Sequence, residues 1–276
     1  MTLAADISAL LSKDALDEAV AKASSAVKAN PMDKQARHLL IDLLIVDGDL
    51  ERADAQCATA ATFAPEDTMG FALLRNQLRG MAARKAWFHE GAVPQFPGGP
   101  SATDEAALKV SVAHRAQDGD ATRTALAAMD EARGAVATVW NGAPIADLRD
   151  LDDRTAHCLE ALTTGGAYLW IDFTRIAALV VEPIARPRDI AYRRAELTLA
   201  DGASAPVLLP AIYAGSNADA ALKLGRRTEW VDEPTGLTTG RGLRCLLAGD
   251  EMVTLHELER IDAASADEAQ RQARHG

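Results

Sequence analysis

Leu16-Asp17-Glu18-Ala19-Val20-Ala21-Lys22-Ala23-Ser24-Ser25-Ala26 returns 34 positions later as Leu50-Glu51-Arg52-Ala53-Asp54-Ala55-Gln56-Cys57-Ala58-Thr59-Ala60. Leu16 recurs at Leu50, Ala19 at Ala53 and Ala26 at Ala60; the small Ala23 is matched by the small Cys57, and Asp17 by Glu51. Outward from this core, Ile7 matches Ile41, Leu10 matches Leu44, and Pro31 matches Pro65. Each copy of such a repeat is one supersecondary unit that buries its apolar face against its neighbours. Small residues at matched offsets let two antiparallel helices approach closely, and a proline closes the second helix because it lacks an N–H. Ile7, Leu10 and Leu11, then Leu16, Ala19, Val20 and Ala23, form an apolar stripe at helical spacing, as do Leu39, Leu40, Leu43 and Leu44. Ser12-Lys13-Asp14 and Asp47-Gly48-Asp49 are the turns inside the two units.

A 34-residue period with this pattern resembles the tetratricopeptide repeat, so residues 1–95 are expected to form a TPR-like α-helical region. A helix is expected over 68–88, then a break over 91–100 where Pro94, Pro97, Gly98, Gly99 and Pro100 cluster. Asp118-Gly119-Asp120 repeats the turn of the second unit, with 106–115 before it and Leu126, Ala127, Met129 and Ala132 after it. Residues 96–164 are therefore read as further helical hairpins, ending in a helix from Asp152 or Asp153 to Leu162 that Gly165-Gly166 stops.

After 165 the period falls to two. Ala195, Leu197 and Leu199 alternate with Glu196 and Thr198; Asp201-Gly202 and the apolar run 206–213 follow, a hairpin signature. Residues 243–248, Gly249-Asp250 and 252–258 repeat it, while Trp170-Ile171 and 178–181 supply further strands. The expectation is an α+β chain in which the helical repeats precede a small, barrel-like β-rich domain over 165–262, with a polar tail at 263–276.

Of 276 residues, 48% are hydrophobic and 4% aromatic, which suits closely packed alanine-rich helices. The formal net charge of −11 sets a field that repels nucleic acid and anionic membrane, so neither is an expected partner. The first residues meet acid at Asp6 without a basic segment, unlike a secretory signal, and no apolar stretch approaches the ~18 residues of a membrane span. Cys57, Cys158 and Cys245 share no pairing frame and are read as buried thiols of a cytoplasmic protein.

No phosphate loop, dinucleotide fingerprint, nucleophile elbow or HExxH is present. The six histidines are scattered and are read as surface or capping residues; no catalytic residue, cofactor or metal site is expected. His157 and Cys158, side by side on the last helix, would point about 100° apart and so not pair. Asp147, Asp150, Asp152 and Asp153 lack the glycine and closing glutamate of a calcium loop and are read as helix caps and solvated charge. Candidate binding residues fall in two groups. Arg75 and Arg79 share a helix face near Arg84, Lys85, Trp87 and Phe88, where pairing with carboxylates competes with ligand binding. Arg186 and Arg188, flanking Pro187, could join Trp170, Arg226 and Trp230 on the small domain, arginine with tryptophan being a hot-spot composition. The competing reading is an arginine–carboxylate clamp that holds a loop to the sheet.

Gly166-Ala167-Tyr168-Leu169-Trp170-Ile171-Asp172-Phe173-Thr174-Arg175-Ile176 resembles the G-x-Y-x-W-I-x-F-x-x-I segment of the ImpE family, also called SciE or TagJ. Glu182-Pro183 with Arg186-Pro187-Arg188-Asp189 is similar to its E-P…R-P-R-D stretch, although Ile184-Ala185 stands where the family is richer in proline. Leu209-Pro210-Ala211-Ile212-Tyr213-Ala214-Gly215-Ser216 resembles its L-P-x-[LI]-Y-x-G-S segment, and Leu222-Lys223-Leu224-Gly225-Arg226-Arg227-Thr228-Glu229-Trp230 its L-x-L-G-R-x-T-x-W block. The resemblance implies a non-catalytic accessory of a bacterial type VI secretion system. Its implied partner is the small sheath subunit (TssB, or VipA), bound through that subunit's N-terminal helical segment, with the ClpV ATPase reached indirectly. A concave groove of stacked helices would suit such a segment. The alternatives are an anion-binding sensor or unrecognised enzyme centred on the Arg/Trp-rich C-terminal domain, and self-association through the strands.

Overall fold

The computed structural model describes residues 2–63, 67–216 and 219–264; Pro65 and the tail from 265 onward lie outside them. The repeat becomes two helical pairs, α1 (Leu3–Leu11) with α2 (Leu16–Ala29) and α3 (Lys34–Asp47) with α4 (Leu50–Phe63). Ala19, Ala23, Ala53 and Cys57, the matched small positions, are all buried and bring the helices together. Each helix packs on the next in sequence, through α5 (Thr68–Glu90). Local chemistry sets the ends. Asp33 accepts from the Ala36 N–H at 3.0 Å, and Gly48 closes α3 at φ +85°, a conformation glycine adopts without strain. A further pair follows, α6 (Ala102–Arg115) and α7 (Gly119–Arg133); Ser101 and Asp104 form a capping box on the first, and Asp118 caps the second.

Strands begin at 138, well before the expected change of period. The large antiparallel sheet takes the order β2 (Ala143–Ile145), β1 (Thr138–Trp140), β13 (Arg260–Ala263), β6 (Ile176–Val181), β7 (Tyr192–Leu199), β8 (Ser204–Pro210), β4 (Cys158–Thr163), β5 (Tyr168–Asp172). β12 (Glu251–Thr254), β11 (Cys245–Ala248) and β3 (Leu148–Asp150) form a second sheet, and β9 (Thr228–Asp232) pairs with β10 (Thr238–Gly242). The hairpins expected at Asp201-Gly202 and Gly249-Asp250 are the β7–β8 and β11–β12 turns. Among the described residues the large sheet does not close, which corrects the barrel-like expectation. Its β5 edge is instead satisfied by the loop after α5: the Gln95 N–H donates to the Tyr168 carbonyl at 2.9 Å, and the Gln95 carbonyl accepts from the Trp170 N–H at 3.0 Å.

The helix expected over 152–162 is a turn followed by β4. The cause is burial on both faces. Cys158 and Leu162 face the helices while Leu159 and Ala161 face the sheet's own core, so the strand reads as an unbroken apolar run rather than an alternation. β5 divides likewise: Tyr168 and Trp170 go to the helical core, Leu169 and Ile171 to the other. Gly165-Gly166 is therefore a hairpin turn, not a helix stop. Gly166 has φ +92°, and a Cβ there would lie 2.5 Å from the Asn76 carbonyl of α5.

A 3-10 turn, Pro187–Ile190, and the short α8 (Ala220–Lys223) pack on α3. Residues 40–46 of α3 are consequently buried without interruption. The chain's own C-terminal half thus packs on α3.

Candidate functional site

Where α5 meets the sheet, five charged side chains are buried and a sixth, Arg154, is largely so. Arg84, on α5, forks onto Glu160 of β4 with Nε–Oε1 2.8 Å and Nη2–Oε2 3.0 Å, and its Nη2 also donates to the Ile212 carbonyl at 3.2 Å. Arg244 bonds Glu160 Oε2 from one side and Asp150 Oδ2, at 2.8 Å, from the other. Arg154 forks onto Asp152. Tyr168 donates to Glu160 and accepts from Trp170 Nε1 at 2.7 Å; Tyr213 donates to Asp150 at 2.6 Å. Three guanidinium groups thus face three carboxylates, the geometry that offsets the desolvation of buried charge. Burial pushes the Asp150 carboxyl up, against the pull of Arg244. At Asp152 burial acts the same way, but Arg154 and the Gly240 and Arg154 N–H groups outweigh it and hold the carboxyl low.

This cluster corrects the reading of the aspartates as caps and solvated charge: Asp150 and Asp152 are buried, Asp153 accepts from the Thr238 N–H, and Asp147 takes an Arg133 fork at 2.7 Å through both oxygens. His157, expected at the surface, is also buried; its Nε2 lies 3.1 Å from Asp104 Oδ1 and its ring stands edge-on to Trp170. Cys57, Cys158 and Cys245 are buried free thiols.

The candidate binding residues separate. Arg75 forks onto Asp54 at 2.7 and 2.9 Å, and Arg79 donates to Asn76. Trp87 and Trp170 are buried in a T-shaped pair with centroids 4.9 Å apart. Arg186 forks onto buried Asp42 of α3, 3.0 Å at each arm, with Arg188 Nε 3.8 Å from the same carboxylate. The two arginines thus clamp the 187–190 turn to helix α3, where the expected clamp was to the sheet. Arg226 reaches Asp14 and the Leu11 carbonyl at the α1–α2 turn, while Lys223 reaches Asp47 at the α3–α4 turn, so this block staples α8 to both helical pairs. Trp230 stands apart from these contacts, exposed on β9 with one edge against Tyr213.

Sequence reasoning passed over Glu160, Arg244 and Tyr213. The available signal was a lone charge inside an apolar strand run: Glu160 amid Leu159 and Ala161, Arg244 between Leu243 and Cys245.

Above the cluster lies an open cleft of about 180 Å³. The C-terminal end of α3 contributes Ile45 and Asp47, α5 contributes Met81, Lys85 and Phe88, and residues 212–216 form the far wall. The guanidinium groups of Arg84 and Arg154 lie over the Phe88 ring, 5.3 and 4.9 Å from its centroid.

Three comparisons bear on identity. The family model described as ImpE protein matches residues 142–262. The type VI secretion system accessory component TagJ of Pseudomonas aeruginosa is 30% identical over 263 residues, covering 94% of this chain and 91% of that protein. A Vibrio parahaemolyticus protein solved by X-ray crystallography superposes with a TM-score of 0.86 at 26% identity, over 94% of this chain and 98% of the other. A relative matching from the helical pairs to the last strand, with the family's own pattern across the sheets, means that this chain belongs to the ImpE family.

Proposed function

We propose that the chain is a non-catalytic, cytoplasmic adaptor of a type VI secretion system that binds the small sheath subunit and modulates sheath assembly or recycling. The accessory role rests on the kinship with TagJ, whose name states it. The observation that carries the adaptor reading is the state of the charges where α5 meets the sheet. Each guanidinium of that cluster is matched by a carboxylate inside the chain, leaving cleft shape and surface charge to meet a partner. The paired helices support a TPR-like reading of the N-terminal region, and the staples at Asp14, Asp42 and Asp47 support a scaffold role for the family segments. The partner segment is the N-terminal helical stretch of the TssB-like subunit, with ClpV reached through the sheath.

The test is a pull-down and titration of the chain against that segment. Saturable binding at micromolar Kd or tighter, roughly −8 kcal/mol, is expected. No binding between two folded partners overturns the reading.

A further inference from the structure

We propose that the basic surface around Phe88 is the docking site for an acidic peptide segment that carries an apolar anchor side chain. The inference rests on the adaptor reading and adds where on this chain the partner sits.

Two clefts flank Phe88. The first is the one described above. The second, of about 160 Å³, shares Phe88 with the first and is lined by Trp87, Ser111, His114, Arg115 and Arg154. Arg84 and Arg154 both lie over the ring but direct their charge inward, to Glu160 and Asp152. The charge left for a partner comes from other residues. Lys85 and His89, one helical turn apart on α5, are exposed and have no ion-pair or hydrogen-bond partner among the described residues. Arg115 is exposed too; it lies over the Trp87 ring and donates to the Trp87 carbonyl, and no carboxylate pairs with it among the described residues. Of the nearby acids, Asp47 is taken by Lys223 at 2.7 Å, and Glu90 is exposed beside His89. In a chain with 40 acidic and 29 basic side chains, the unanswered cations Lys85 and Arg115 around a fixed aromatic are complementary to acid, with His89 as a further polar group beside them.

The shape selects a peptide over a small anion. Lys85 and His89 line only the first cleft and Arg115 only the second, with Phe88 as the ridge between them, so a single small anion does not reach both sets. An extended or helical segment crosses the ridge. The first cleft has Ile45, Met81 and Ile212 in its walls, and a space of about 150 Å³ accepts a benzene ring; one branched or aromatic side chain fits there as the anchor.

The test compares the wild-type chain, the Lys85→Glu/His89→Glu double variant and a Lys28→Glu control on α2. Each is titrated with the sheath small subunit, with a Glu/Leu amphipathic peptide and with single-stranded RNA at two salt concentrations. The replaced side chains are exposed and unpartnered, so the fold is retained. The expected result is roughly tenfold or greater weakening of subunit and peptide binding in the double variant, with a flatter salt dependence, and none in the control. If the wild type binds the subunit and the double variant binds it equally well, the docking site is overturned while the adaptor reading stands. If the wild type does not bind the subunit, the adaptor reading fails; the Glu/Leu peptide then decides the site, its equal binding to wild type and double variant, or its failure to bind, overturning it. Binding of RNA but not of the peptide, lost in the double variant, also overturns it.

Discussion

Replacing Glu160 with glutamine isolates one charge of the buried cluster without changing its shape. In the native chain the carboxylate accepts from Arg84 through both oxygens, from Arg244 and from Tyr168, and its side chain is fully buried. Glutamine offers one acceptor oxygen, and its NH2 faces N–H donors. In either amide orientation a guanidinium loses a partner, and the cluster carries one uncompensated positive charge. Removing one member of a buried pair costs about 3–5 kcal/mol. Arg84 keeps the Ile212 carbonyl and Arg244 keeps Asp150, which places the expected loss near the lower end, about 3 kcal/mol. With a urea m-value of roughly 3 kcal/mol per molar, the unfolding midpoint should fall by about 1 M. The Arg84→Met/Glu160→Gln double variant removes one cation with one anion and restores neutrality, so its loss should undercut the sum of the single losses by about 1–3 kcal/mol. Urea unfolding of the four proteins, followed by circular dichroism, measures both quantities. A Glu160→Gln midpoint within about 0.2 M of wild type, or single losses that add, would refute the claim that these charges stabilise one another.

Arg186→Ala leaves Asp42 buried with only the more distant Arg188, and should cost about 3 kcal/mol and raise hydrogen exchange along α3; unchanged α3 protection would show that the clamp is not holding the turn. Burial pushes the Cys57 thiol up to about 12 and raises Cys158 and Cys245 as well, so an aromatic disulfide reagent near pH ~8 should find none of the three until the chain is unfolded; rapid labelling of the native chain contradicts this. At Asp147 burial opposes the charge, but the Arg133 fork and the Val136 N–H outweigh it and depress the carboxyl below the usual range. Its contribution is therefore present above the ordinary carboxylate pKa of about 4 and lost as pH falls through the lower folded-state value. Asp147→Asn should lower stability by about 1–2 kcal/mol near neutral pH and lose less than wild type on acidification below pH ~4; parallel pH–stability curves would count against the assignment.

Local pattern was enough for the elements whose signals are local. The matched small residues at 19, 23, 53 and 57 gave the helical pairs, because close helix packing demands small side chains at fixed offsets. Asp201-Gly202 and Gly249-Asp250 gave two hairpins, because tight turns demand backbone conformations that few residues adopt. The four family segments were equally legible, and so was the kinship with ImpE proteins.

Only the tertiary structure decided the rest. Periodicity reports one buried face, so β4, buried on both, passed for a helix, and the start of the strands was placed too late. Glu160, Asp150 and Arg244 became a cluster only when β4, β3 and the residue leading into β11 came together. Arg186 found its carboxylate at Asp42, 144 positions away. Charge pairing over such separations leaves no mark on local sequence, because a carboxylate bound for solvent and one bound for a buried guanidinium are the same residue until the chain folds around it.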